Sequence, residues 1–304
     1  MKSIRFSVVI NNFNYGHFVR EAVISVKAQK YSPCEIIVVD DGSADDSMAI
    51  LESLKADCPE LVVISQGNCG QLSAMRAGAH AAVGEWLCFL DADDTWEPTH
   101  LEAAAQAISC ETDLGVYYSG HKETSGPTIF RSKWPHGSVG PCAGLVAARG
   151  TRIGTITSAL CLRREFALMA VDLDESFDAD WRTRADDCLV FGASIAGAIF
   201  HYNPIESVNY RIHGGNTFAD KFQDPYMVYR YDLRKWRLIL KYCEKSGIRR
   251  DELFRLILSE LVWFTRNRKY RYCRSRFLQA LRRTPAPLGL KAKTLWRLIK
   301  GSYR

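Results

Sequence analysis

Side chains able to do chemistry are concentrated in four short clusters within the first 95 residues. Asn11-Asn12-Phe13-Asn14, Asp40-Asp41-Gly42-Ser43, Gln66-Gly67-Asn68-Cys69-Gly70 and Asp91-Ala92-Asp93-Asp94 each follow an apolar run. A D-x-D pair such as Asp91 and Asp93 can hold a hard divalent cation through one or two carboxylates, with a substrate phosphate completing the shell. Alone, such a pair reads equally as a solvated turn capping the helix that Glu97-Pro98 begins. Its place at the end of an apolar run, beside three other polar clusters, favours a site. Asp40 and Asp41 also have two readings. One is an Asx-type turn with Gly42 at positive φ; the other is a carboxylate accepting from the imide N–H of a uracil ring. Phe13 is either core or an aromatic that stacks on a base. There is no G-x-G-x-x-G and no G-x-x-x-x-G-K-[ST], so neither the dinucleotide fingerprint nor the P-loop applies. A diphosphate here would be neutralised through a metal.

The elements that must position these clusters alternate up to about residue 115. FSVVI, EIIVVD, LVVIS and EWLCFLD read as buried strands. Helical spacing lies between them, as at Val19, Val23 and Val26, or at Ile50, Leu51 and Leu54 after a Ser/Asp-rich start. Strands alternating with helices predict an α/β fold with a mostly parallel sheet covered on both faces. In such a sheet, ligands bind beyond the carboxyl ends of the strands. Four consecutive strands therefore deliver amides and carboxylates to one rim. Gly and Pro clustered at 126–150 suggest loops over a cleft. Asp224-Pro225 predicts an N-cap and first turn of a helical C-terminal part. DELFRLILSELVWFTRNRKYRYCRSRFLQALRR is amphipathic and basic; TPAPLG at 284–289 separates a last short helix containing LKAKTLWRLIK.

The 304 residues, 47% hydrophobic and 24% charged, exclude whole-chain disorder and collagen-like repeats. No apolar stretch approaches the ~20 residues a bilayer span needs, and MKSIRFSVVINN lacks a signal-peptide core, so a cytoplasmic protein is expected. The ten cysteines include no C-x-x-C pair, which leaves buried free thiols as the reading.

Together the motifs resemble the family 2 glycosyltransferases of GT-A fold, inverting and non-processive. The likeness runs through FSVVINNFNYGHFVREAVISVKAQ, EIIVVDDGSADDS, QGNCGQLSAMRAG and GEWLCFLDADDTWEP. A second block runs from TSALCLRREF through RADDCLVFGASIAGAIFHYNPIESVNYRIHGGNTF. The resemblance implies a GT-A domain over 1–222, with a nucleotide-sugar-binding half (1–115) and an acceptor-side half (116–222), followed by a helical basic extension at 223–304. It implies a nucleotide-diphosphate sugar donor, UDP first, and a Mn2+ or Mg2+ ion. Asn11, Phe13, Asn14, Asn68, Gly70 and Ala92 would line the donor site. Asp40 or Asp41 would contact the base, Arg76 would stand near the phosphates, Asp91 would face the ribose or donor sugar, and Asp93 would hold the metal. Asp187, in the pair Asp186-Asp187, is the candidate catalytic base, with Asp186 the second choice. His213 would close over the diphosphate and complete the metal shell. Asn11 stands where Pro is more usual, Ala77 where Asn is, and Asp186 where Glu is. The absence of a Q-x-x-R-W box fits one sugar per encounter.

Charge divides the chain. Residues 230–304 carry 22 Lys+Arg against 5 Asp+Glu, and residues 1–229 carry 18 against 29. The basic part, with interleaved Trp236, Trp263, Phe264, Tyr270, Tyr272, Phe277 and Trp296, reads as amphipathic helices on an anionic bilayer, peripheral to the inner face of the cytoplasmic membrane. A glycan or lipid-linked acceptor would suit that placement. Nucleic acid is the weaker reading, because the acidic body would repel a phosphate backbone. The rival of another class is a catalytically inactive sugar-nucleotide-binding or scaffold protein of the same fold.

Overall fold

The structure is a computed structural model that describes residues 3–124, 129–130, 136–214, 224–267, 274–287, 289 and 291. Residue runs rich in Val and Ile form the strands, as their branched side chains favour. These are β1 (Phe6–Asn12), β2 (Glu35–Asp40), β3 (Leu61–Ser65) and β4 (Trp86–Asp91), and between them lie α1 (Gly16–Lys27), α2 (Ser47–Leu54) and α3 (Gln71–Ala81). There follow β5 (Thr95–Trp96), α4 (His100–Cys110), β6 (Leu114–Glu123), β7 (Ile129–Phe130), β8 (Gly137–Val139) and α5 (Ala143–Arg149). Then come β9 (Leu160–Arg163), α6 (Arg164–Val171), α7 (Ser176–Asp180), α8 (Asp186–Ile195) and β10 (Ile199–Tyr210). The chain continues through α9 (Pro225–Lys245), α10 (Leu253–Arg266) and α11 (Arg274–Arg283).

One ten-stranded sheet results, in the order β3-β2-β1-β4-β9-β6-β10-β5, with β7 on β6 and β8 on β10. β3, β2, β1 and β4 are parallel neighbours, and β9 runs antiparallel to both β4 and β6. Strand order reverses at β1, which has β2 on one side and β4 on the other; this is the switch point where open α/β sheets take ligands. The register there sets Asn11 opposite Asp91.

Alternate residues of the strands feed two cores. Val8, Ile10, Ile36, Val38, Cys88 and Leu90 meet α1, α2 and α4 on one face. Val9, Ile37, Val39, Leu87 and Phe89 meet α3, α5, α6 and α8 on the other. α3 lies so close to β1 that a Cβ on Gly78 would come within 2.4 Å of Val9 Cγ1.

The structure departs from the sequence expectation in one place. Residues 141–150 are not open loop over a cleft: α5 is buried there, and Gly144 within it and Gly140 just before it serve close packing. A Cβ on Gly140 would come 2.3 Å from Trp263, and one on Gly144 2.9 Å from the Ile257 nitrogen. The expected C-terminal helices are present and pack onto the body. Leu238, Ile239 and Tyr242 of α9, Phe254, Ile257, Leu261 and Phe264 of α10, and Phe277 and Leu281 of α11 belong to the same core as the sheet. Asp224 caps α9 as expected, its Oδ1 accepting from the Tyr226 N–H at 2.9 Å. The expected last helix around 290–300, with Trp296, and the aromatics Tyr270 and Tyr272 lie outside the described residues. The nine described cysteines are free.

Candidate active site

At the switch point β4 ends on Asp91, whose Oδ1 accepts from Asn11 Nδ2 and from Gln71 Nε2, both at 2.9 Å. Its backbone N–H donates to Ser158 Oγ. The turn that follows places Asp93 and Asp94 so that ligand atoms of all three carboxylates lie within 4.8 Å of one another. Packing like charges in a buried place raises their proton affinity. Burial first, and the Asp93 charge second, push Asp91 up to about 7, and the same two causes raise Asp94 well above the usual range. The nearby Tyr15 hydroxyl is pushed up to about 12 by burial and by the charges of Asp93, Asp91 and Asp94.

Three hard oxygen donors repelling one another in one cradle are a donor set suited to Mg2+ or Mn2+. His213 joins them from the loop after β10, its Nε2 3.0 Å from Asp93 Oδ2. Its ring is wedged edge-on to Tyr15 and tilted against Phe18. Asp94 is tied down more fully, accepting from Ser158 Oγ and, at 2.9 Å, from the Arg211 N–H. Beside the cluster, Asn11 Oδ1 is buried without a hydrogen-bond partner, an acceptor left over at the strand end.

Across the rim stands the acid pair at the start of α8. Gln71 links the two parts: its Nε2 holds Asp91 while its Oε1 accepts from the Ala185 N–H at 2.9 Å. Asp187 is fully buried. Its Oδ1 accepts from Arg152 Nε at 2.7 Å, and its Oδ2 accepts from Tyr231 Oη at 2.8 Å with Arg184 at 3.7 Å. Asp186 keeps 13% of its side chain exposed and is paired with Arg152 Nη2. Burial raises its proton affinity; Arg152 pulls it down and the Asp187 charge pushes it up again.

The remaining sequence-predicted residues are placed as follows. Asp40 is buried and accepts from the Ser43 N–H, Ser43 Oγ and Asn12 Nδ2. Asp41 accepts from Gln66 Nε2 and from the N–H groups of Cys69 and Gly70. Both therefore weld the loops after β1, β2 and β3 together, which is the turn reading of these residues. Asn14, at φ 56°, accepts from the Ala44 N–H and extends the same weld. Gly70 sits at φ 98° against Arg182, where a Cβ would come 2.7 Å from the Arg182 Cα. Asn68 pairs with Arg182, and Ala92 is buried with its N–H on the Asn11 carbonyl. Phe13 is 41% exposed, so it is not core. Arg76 grips Asp178 with two nitrogens and the Val171 carbonyl with the third. Its guanidinium fastens α3 to α6 and α7. Gln71, Ser158, Arg152, Tyr15 and Tyr231 were not singled out from sequence.

Residues 7–171 match glycosyl transferase family 2. The chain belongs to that family. An uncharacterized glycosyltransferase of Nostoc sp. is 32% identical over 227 residues, covering 70% of this chain and 66% of that protein. The chondroitin synthase of Escherichia coli is 27% identical over 71% of this chain, and the hyaluronan synthase of Pasteurella multocida 24% identical over 71%. The matches cover only 30% and 21% of those two synthases, so this family 2 chain spans under two thirds of each of the three relatives. Among solved structures, S. aureus TarS 1–349 superposes with a TM-score of 0.56 at 16% identity, covering 99% of this chain and 93% of that one. The same protein in complex with UDP-GlcNAc superposes at 0.54. These likenesses establish the mixed, mostly parallel GT-A architecture with its C-terminal helices.

Proposed function

We propose that this chain is an inverting glycosyltransferase that moves one sugar from a UDP-sugar to a hydroxyl of a glycan or lipid-linked acceptor, with a divalent cation at the Asp91–Asp93–Asp94 cluster. The observation that carries the reading is the pairing, across one rim, of a repelling carboxylate cluster at the switch point with a second acid pair joined to it through Gln71. The chondroitin and hyaluronan synthases of the same family, and a TarS structure with UDP-GlcNAc, support polysaccharide-type chemistry and a UDP-linked donor.

Asp93, with Asp91 and His213, would hold Mn2+ or Mg2+; when bound, the ion neutralises charge on the departing diphosphate as a Lewis acid. Exposed Phe13 offers a face for the base, on loops that Asp40 and Asp41 hold in shape. In transfer, the acceptor oxygen attacks the anomeric carbon, the carbon–oxygen bond to the diphosphate breaks, and the acceptor proton passes to a carboxylate. A positioned base of this kind contributes ~10²–10⁴-fold. The difference in exposure favours Asp186 for that role over Asp187, whose two oxygens are engaged by Arg152 and Tyr231. One displacement inverts the anomeric centre.

The deciding experiment is calorimetric titration of UDP with and without Mn2+ on the wild type and Asp93→Ala. Metal-dependent binding that disappears in the variant is expected. If UDP, GDP, CDP and dTDP all fail with metal present, the scaffold reading takes its place.

A further inference from the structure

Six of the thirteen exposed large hydrophobic residues among the described ones lie on the single helix α9. Tyr226, Tyr229, Leu233, Trp236 and Leu240 recur at alternating spacings of three and four, so they share one face; Met227 flanks it. They are between 37% and 66% exposed, on a helix whose opposite face, with Leu238, Ile239 and Tyr242, is fully buried in the core. The helix needs only its inner face for folding, so the outer stripe is surplus to the fold. No other described element shows more than one or two such residues.

We propose that this outer face of α9 docks the protein on an anionic lipid surface. Composition selects that occupant. Three of the six residues are Tyr or Trp, the side chains that settle where hydrocarbon meets headgroups. Of its six Lys+Arg, Lys235, Arg237, Lys241 and Lys245 are ion-paired with Asp232, Asp180, Asp174 and Asp172, and exposed Arg230 borders the stripe. The apolar faces of α10 and α11 are spent on the core, so among the described residues the membrane expectation attached to the basic region narrows to this one helix. Inward, α9 supplies Tyr231 to Asp187 and Arg234 to the Asp180 carbonyl. A bilayer under the outer face would therefore lie roughly one helix diameter, ~10–12 Å, from the acid pair. This deepens the proposed function, on which it rests for its meaning: the acceptor hydroxyl is presented at a membrane surface, as in a lipid-linked glycan.

The test is co-sedimentation of the full chain with phosphatidylcholine vesicles, with and without phosphatidylglycerol. Strong binding only to the anionic vesicles is expected. Leu233→Glu/Leu240→Glu should weaken it about tenfold or more while leaving the melting temperature and UDP binding unchanged. Ile24→Glu, an exposed apolar residue on α1, should leave it intact. Equal pelleting with neutral and anionic vesicles, or equal pelleting of the double variant and the wild type, overturns the proposal. So does a lipid-free dimer that the double variant dissociates, with no vesicle binding. Because vesicle binding is read without nucleotide, failure of the UDP titration and failure of this face are separate results.

Discussion

Asp186 and Asp187 are neighbours in sequence with different environments, and in the proposed mechanism the difference favours one of them as the acceptor of a substrate proton. Asp187 accepts from Arg152 and Tyr231 inside the core, while Asp186 retains an exposed edge. Asp186→Asn should therefore lower turnover about 10²–10⁴-fold while leaving UDP affinity and melting temperature near wild type. Asp187→Asn should lower the melting temperature, because it leaves Arg152 and Tyr231 underpaired in a buried place. A folded Asp187→Asn that is inactive, beside an active Asp186→Asn, would return the role to Asp187. The D-x-D cluster is legible in the sequence because it stands at a recognisable place after a strand; the acid pair, which follows α7, and His213 are legible only through the resemblance to the family 2 glycosyltransferases. The sequence did not reveal Gln71, Ser158, Arg152 or Tyr231. Their partners stand 20 to 114 positions away in the chain, and no local pattern encodes such a contact. Arg76 shows the reverse case: a basic residue on a familiar motif whose guanidinium goes to a neighbouring helix, since Asp178 lies 102 residues further on.

Among the elements, α1 to α3 and the first four strands were legible because a buried strand must be apolar and its helices amphipathic. α5 was not, because its glycines look like loop punctuation and declare their purpose only against Trp263 and Ile257. The start of that helix also holds the clearest pH-sensitive contact. Glu260 of α10 is buried against it and accepts from the N–H groups of Gly144, at 2.7 Å, and Leu145. Burial outweighs those two hydrogen bonds and pushes the carboxyl up to about 8 from 4.5. In the unfolded chain the proton leaves near 4.5, whereas the folded chain keeps it to about 8. The stabilising contribution is thus complete at acidic pH and is lost as pH rises across that window, by at most about 1.4 kcal/mol per pH unit. Urea melts at intervals from pH 5 to 8 should show wild-type stability declining relative to Glu260→Gln, which mimics the protonated side chain at every pH. Parallel curves for the two proteins would mean that Glu260 does not titrate in this window.

For the molecule as a whole, the sharp break in charge near residue 230 suggested two parts, yet the packing joins them. Charge sits on the outer faces of α9 to α11 and is what a composition count registers. The inner faces carry nine large, buried hydrophobic side chains into the core that β1, β2, β4 and β6 also build. Each such side chain contributes roughly 1.5–3 kcal/mol relative to exposure, so together they are at least comparable to the ~5–15 kcal/mol by which a domain is stable. Removing them would also uncover α5 and α8, which pack against those helices. A fragment ending at residue 222 should therefore fail to fold cooperatively. Expressed alone, it is expected to be insoluble or to melt without a sigmoidal transition in circular dichroism, whereas the full chain melts in one step. A soluble 1–222 fragment with a sharp transition and UDP binding intact would make the C-terminal helices a separable addition. The one-core argument would then have to yield to a two-domain one, and the α9 face would become a property of an appendage and no longer of the catalytic body.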